Sequence, residues 1–214
     1  VRSLRLKNRR LFSSAARKTR TAVILSGCGV YDGSEITESV ATIVALSKSG
    51  ASIDYYAPNM NQFHVVDHTT GEEIPQKRNV LVESARISRG NISNLRDLDV
   101  ANYDAIFFPG GFGAAKNLST FGQEGADMGV LPEVSNLLKA ARKGNVNIGM
   151  ACISPIIAAK VRLQVLTFRY LVKNLKAQES NSLLDQRTLA SLMQVALMSL
   201  KDSEIPLSSR TSTK

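Results

Sequence analysis

Four short apolar runs, "TAVILSG" (21–27), "ASIDYYAP" (51–58), "YDAIFFPGG" (103–111) and "VNIGMA" (146–151), each give way to turn-forming or small residues. Helical periodicity follows the first of them: Ile36, Val40, Ile43, Val44 and Ser47 share a face up to a stop at Gly50. "LPEVSNLLKAARKG" opens with proline in a first-turn position and stops at Gly144, and a further helix is predicted from Ser154. An alternation of apolar strand and amphipathic helix constrains the fold strongly. It predicts an α/β domain with a mostly parallel sheet covered on both faces, since parallel strands need helical crossovers. The near-continuous apolar character of "AIFF" fits a strand buried on both sides. Residues 59–101 are longer than a simple connection and are expected to form an excursion near the strand ends.

Glycine usage bounds this unit. All 14 glycines lie between Gly27 and Gly149, and the charge changes with them: residues 21–161 carry a net −3 and residues 162–214 a net +4. In the last segment the clearest order is a helical stripe of Leu189, Leu192, Met193, Ala196, Leu197 and Leu200, and "SSRTSTK" reads as a polar, disordered end. The domain is therefore expected over 21–161, with a divergent helical or disordered tail over 162–214.

The overall charge of +9 suggests nucleic acid until it is located. Residues 1–20 contain eight Lys and Arg and no acid, which leaves the remainder at +1. This Arg-rich, Ser-containing, acid-free stretch has the composition of a mitochondrial transit peptide, so a mitochondrial and specifically matrix location is expected. No nucleic-acid partner is expected. No apolar run approaches the length of a membrane span, so no membrane partner is expected either. Two cysteines, Cys28 and Cys152, make no disulfide framework.

Ligands of open parallel sheets collect beyond the carboxyl ends of strands, which directs attention to three places. "SGCGVYDGSEITES" offers Cys28, Asp32, Glu35 and Glu38; Pro109–Gly113 offers a glycine pair; and Cys152 follows "VNIGMA". A cysteine at a strand-to-helix turn is exposed, and a helix N-terminus there favours thiolate. The same residue type is as readily a buried, inert thiol. Gly110 and Gly111 let backbone N–H groups approach a developing negative charge, and a plain tight turn needs the same freedom. His64, Asp67 and His68 have metal-ligand spacing only on a helix, which Val65 and Val66 make doubtful, so no metal is expected. "GVYDGSE" lacks the phosphate-loop lysine and "GGFGAA" the dinucleotide fingerprint, so no cofactor is expected.

Taken together, "VILSGCGVYDGSEITESVATIVALSKSGA", "AIFFPGGFGAAKNLS" and "IGMACISPIIAA" resemble the PfpI-type branch of the class I glutamine amidotransferase-like superfamily, and its mitochondrial ES-type members in particular. The resemblance covers about 21–161. It implies a flavodoxin-like three-layer sandwich, a nucleophile-elbow Cys152, and Glu38 as a protonated carboxyl group hydrogen-bonded to the thiolate. It also implies backbone donors at Gly110, Gly111 and Ile153. Homodimers are common in the family.

The departures narrow the chemistry. An amidase of this superfamily needs a histidine downstream of the cysteine, and this chain has none after His68. Protease-like members place histidine directly after the cysteine, where Ile153 stands. Neither glutaminase nor protease is expected. Resemblance to glyoxalase-like members implies instead weak activity on a small dicarbonyl substrate through a hemithioacetal at Cys152. The competing expectation is a non-catalytic redox-responsive or interaction protein, with Cys28 as a redox partner of Cys152. The family's further strands have no counterpart in 162–214, so the sheet is expected to be incomplete on its C-terminal side, with reduced stability.

Overall fold

The computed structural model describes residues 17–161, so the leader through residue 16 and the tail from 162, including the Leu189–Leu200 stripe, lie outside the described residues. Five parallel strands form one sheet in the order β5-β2-β1-β6-β7. They are β1 (Arg20–Ile24), β2 (Ser52–Ala57), β5 (Ser93–Asn94), β6 (Ala105–Phe108) and β7 (Asn147–Met150). A separate antiparallel hairpin, β3 (Val65–Val66) with β4 (Glu73–Ile74), sits in the long connection after β2. All four apolar runs are strands of the main sheet.

Strand alternation sorts the core into two layers. Ala22 and Ile24 of β1 and Ile106 and Phe108 of β6 face α3 (Phe112–Lys116), α5 (Pro132–Lys143) and α6 (Pro155–Lys160), packing with Ala114, Leu118, Leu138 and Ile157. Val23 and Phe107 point the other way, with Leu25, into a layer that includes Leu46 of α1 (Ile36–Lys48) and Val80, Leu81 and Ile87 of α2 (Val80–Ser88). A helix of one turn, α4 (Phe121–Glu124), follows α3. This is the three-layer α/β sandwich expected from the strand and helix alternation.

The 59–101 segment is more than an excursion. It carries α2 and β5, and β5 pairs with β2 to extend the sheet. A two-residue strand offers too little periodicity to read, and "VLVESARIS" opens on three consecutive apolar residues that read as readily as a strand. On the other side β7 pairs only with β6 among the described residues.

Two features locate a site. Chain order reverses between β1 and β6, which makes their carboxyl ends the crevice of the sheet. Glu35 caps α1 there: its carboxylate accepts the Glu38 N–H at 2.5 Å, fixing the first turn of the helix that carries Glu38. The helix ends at Ser49, with Gly50 in the left-handed region (φ 79°).

Candidate active site

Cys152 occupies a tight turn between β7 and α6, closed by the Ser154 N–H donating to Ala151 O at 3.0 Å. Its φ is +53°, a left-handed conformation that costs a side-chain-bearing residue about 1–3 kcal/mol and persists only where surroundings enforce it. The enforcement is visible on both sides. Ala151 N–H donates to Phe108 O at 3.0 Å, and the buried Ser154 hydroxyl donates to Pro109 O at 2.5 Å, locking the turn to the end of β6.

Gly110 lies between the thiol and Glu38. A Cβ at this position would stand 2.2 Å from Cys152 Cβ, 2.3 Å from Glu38 Oε2 and 3.0 Å from Cys152 Sγ, so only glycine lets the three groups converge. Its N–H donates to Glu38 Oε2 at 2.9 Å, and its carbonyl accepts from Glu35 N–H at 2.9 Å. Gly111, at φ +95°, is held in a conformation that favours glycine, with Glu35 N only 2.3 Å from where a Cβ would be. The Gly111 and Ile153 N–H groups lie on the side of the Cys152 sulfur and favour its thiolate.

Thus Cys152, Glu38, Gly110, Gly111 and Ile153 come together. Within the set the roles divide: the Gly110 N–H is engaged by Glu38, while those of Gly111 and Ile153 face the sulfur.

The electrostatics differ from a simple helix-terminus thiolate. Burial pushes the Cys152 thiol up, and the Glu38 carboxylate adds to it; the two N–H donors act in the opposite direction. Burial likewise raises Glu38 above the usual carboxylate range, with Glu35 adding to the rise, against the Gly110 N–H and a hydrogen bond from Cys152. Each group resists being the second negative charge in the pair, so the protonation of one depends on that of the other.

The remaining candidates lie elsewhere in the network. Cys28 is a free, half-buried thiol, raised by burial and by Glu83 and Asp32 and lowered by Arg86. Asp32 is buried and structural: its carboxylate accepts Val66 N–H at 2.9 Å, tying the β3–β4 hairpin to the loop after β1. Val65 and Val66 form a strand, so the helical spacing required for a His64, Asp67, His68 metal site does not arise, and no cluster of metal-ligating side chains occurs among the described residues.

Sequence reasoning missed Lys116 and Asn117, which follow the glycine pair in "GGFGAAKN". Buried Asn117 donates to Ser26 O at 2.8 Å and Asp32 O at 2.9 Å and accepts Phe63 N–H at 2.9 Å, stitching three loops around the crevice. Lys116 Nζ lies 3.0 Å from His64 Nε2. An Asn in a small-residue run is the available signal for the first; nothing in sequence links residues 64 and 116.

No family model matches the chain. It is 54% identical over 153 residues to the ES1 protein homolog, mitochondrial, of Rattus norvegicus, a match covering 71% of this chain and 58% of that protein. It is also 54% identical over 143 residues to the human mitochondrial glutamine amidotransferase-like class 1 domain-containing protein 3, covering 66% of this chain and 53% of that one. The chain spans about half the length of the curated relatives it matches. Among solved structures, an isoprenoid biosynthesis protein with amidotransferase-like domain from Ehrlichia chaffeensis superposes with a TM-score of 0.64 at 40% identity, covering 66% of this chain and 67% of that one. The relatives carry the mitochondrial designation that the leader composition points to.

Proposed function

We propose that this mitochondrial chain, which belongs to the glutamine amidotransferase-like class 1 family of the ES1 proteins, uses Cys152 as a nucleophile toward small dicarbonyls in the matrix. The observation that carries the reading is the wedge at Gly110: a thiol and a raised carboxyl group face one another across a residue that tolerates no Cβ. Structural packing alone gives no reason to bury a carboxyl group against a strained cysteine, because each carries a cost.

In the proposed reaction the Cys152 sulfur adds to the aldehyde carbon of an α-oxo aldehyde and the S–H proton passes to Glu38. The new alkoxide is stabilised by the Gly111 and Ile153 N–H groups and protonated from Glu38, giving a hemithioacetal. Glu38 then moves a proton from the former aldehyde carbon to the adjacent carbon, while the hemithioacetal hydroxyl gives its proton to the second carbonyl oxygen, so that the first oxygen becomes a carbonyl and the second a hydroxyl. The result is a thioester of Cys152. Water adds to it, the C–S bond breaks, the thiol recovers its proton, and a 2-hydroxy acid leaves. The redox change is internal to the substrate, so no cofactor is consumed.

The test is formation of glycolate from glyoxal, or lactate from methylglyoxal, by the wild type, Cys152→Ala and Glu38→Gln. The reading expects product formation to vanish in the first variant and to fall by about 10²-fold or more in the second, the scale of positioned acid–base catalysis. Undiminished product from Cys152→Ala would end it. The redox-responsive alternative has less support, because the thiolate is the form that peroxide oxidises and burial raises both Cys28 and Cys152.

A further inference from the structure

A second group of reactive side chains lies where the end of α3 meets the β3–β4 hairpin. Lys116 Nζ donates to Tyr31 O at 2.9 Å and lies 3.0 Å from His64 Nε2. His64 Nδ1 in turn lies 3.4 Å from Glu73 Oε2. An ammonium has hydrogens only to give, so Nε2 is the unprotonated, accepting nitrogen, and the ring proton sits on Nδ1 facing the carboxylate. Carboxylate, imidazole and amine thus stand in file. This is the order in which a base is oriented by an acid and receives a proton from a nucleophile.

The surroundings suit an amine that reacts. Among the described residues Lys116 forms no ion pair: Glu73 reaches His64, and Asp32 is held by Val66 N–H with His68 nearby. The ammonium stands 5.0 Å from the Phe112 ring centroid, and Phe63 leans on His64 at 5.1 Å. Phe112, Phe63 and Tyr31 remain exposed, so the rim is apolar yet open to a small molecule. Burial lowers the Lys116 ammonium from its ordinary value, with Asp32 and Glu73 opposing. A lysine serving only to tie loops together needs the Tyr31 carbonyl but not the lone pair of a carboxylate-oriented histidine.

We propose that Lys116 is an amine nucleophile for small aldehydes, with His64 as its base and Glu73 as the group that orients His64. The ammonium gives a proton to His64 Nε2, and the freed nitrogen lone pair attacks the aldehyde carbon. The imidazolium returns its proton to the alkoxide, giving a carbinolamine. Loss of water then leaves a protonated imine, so ammonium and aldehyde become iminium and water without oxidant or reductant. This centre is independent of Cys152.

The experiment is brief exposure of the full chain to glyoxylate with cyanoborohydride, which reduces the imine to a stable carboxymethyl amine, followed by peptide mass mapping. Lys116 is expected to be labelled at least about tenfold faster than Lys48, Lys77 and Lys143, a conservative bound on what a positioned base contributes. His64→Gln keeps an acceptor for the lysine but removes the base, and is expected to bring Lys116 down to the rate of those lysines. Cys152→Ala is expected to leave the labelling unchanged, which separates this site from the cysteine reading. Equal labelling of all lysines, or an unaltered rate in His64→Gln, overturns the proposal. Should His64→Gln fold poorly, Glu73→Gln decides: Glu73 is 67% exposed, and a rate equal to wild type there overturns the proposal as well.

Discussion

Replacing Gly110 with alanine adds one methyl group at the centre of the candidate site. Unlike Gly111, Gly110 is not at positive φ, so alanine brings a collision without backbone strain. The new Cβ would lie 2.2 Å from Cys152 Cβ and 2.3 Å from Glu38 Oε2, against about 3.5–4.0 Å for carbon atoms at ease. Relief therefore needs movements of roughly 1 Å shared between two groups, each held by its own element. Overpacking of this kind costs about 1–3 kcal/mol, a fall in melting midpoint of roughly 2–10 °C for a domain of this size. Moving Glu38 from Cys152 also weakens its upward push on the thiol, so the alkylation pKa of Cys152 should fall relative to wild type. The assay is iodoacetamide labelling against pH in a Cys28→Ala background, alongside thermal unfolding. A Gly110→Ala protein with an unchanged melting midpoint and an unchanged Cys152 profile would refute the convergence of the three groups.

Glu38→Gln should also lower the alkylation pKa of Cys152, by removing the carboxylate that raises it. The same change alters the pH dependence of stability: because the folded pKa of Glu38 is raised, the folded state binds the extra proton. Its contribution is complete below the ordinary carboxylate value of about 4.3 and is lost as pH rises through the folded value. Urea unfolding at stepped pH should show a shallower decline in Glu38→Gln as pH rises from about 4.3 through the folded value, and an identical slope there would count against a buried, proton-holding Glu38. Asn117→Ala removes three hydrogen bonds at a buried site and should cost about 2–4 kcal/mol in urea denaturation, with earlier proteolytic cleavage near Asp67–Gly71; a loss under about 0.5 kcal/mol would show that the loops hold without it.

The sheet was legible because each apolar run is flanked by residues that end strands and because parallel strands force helices between them. Cys152 and the glycine pair were legible for a related reason, since chemistry at an open sheet gathers at strand ends. Glu38 was not readable from spacing: its helix position is ordinary, and the resemblance alone singled it out. The short strand β5 escaped because two residues cannot display a period, and the helix α2 because its run opens on three consecutive apolar residues. The raised thiol escaped because a turn before a helix suggests stabilised thiolate, whereas the structure buries Cys152 beside a carboxyl group and gives it a successor helix of only six described residues. Pairs such as Lys116 with His64 depend on how a hairpin folds back across the sheet, which local pattern does not encode.

The two imidazoles of the described residues are occupied away from the cysteine. His64 is engaged by Lys116 and Glu73, and His68 accepts from Tyr31 N–H and donates to Val66 O, so neither imidazole contacts Cys152. A glutaminase must send a proton from its thiol to an imidazole and onward to a departing amine. Here the acid–base partner of the sulfur among the described residues is the Glu38 carboxyl group, whose proton affinity burial raises together with that of the thiol. Addition to an aldehyde asks less, because the proton leaving sulfur is the one the new alkoxide takes up, and no amine has to be expelled. On the proposed reading, a site that keeps its proton within a Cys152 and Glu38 pair suits carbonyl addition and is mismatched to amide cleavage. Hydrolysis of glutamine at a rate comparable to glyoxal turnover by the same preparation would therefore contradict the chemistry assigned to Glu38.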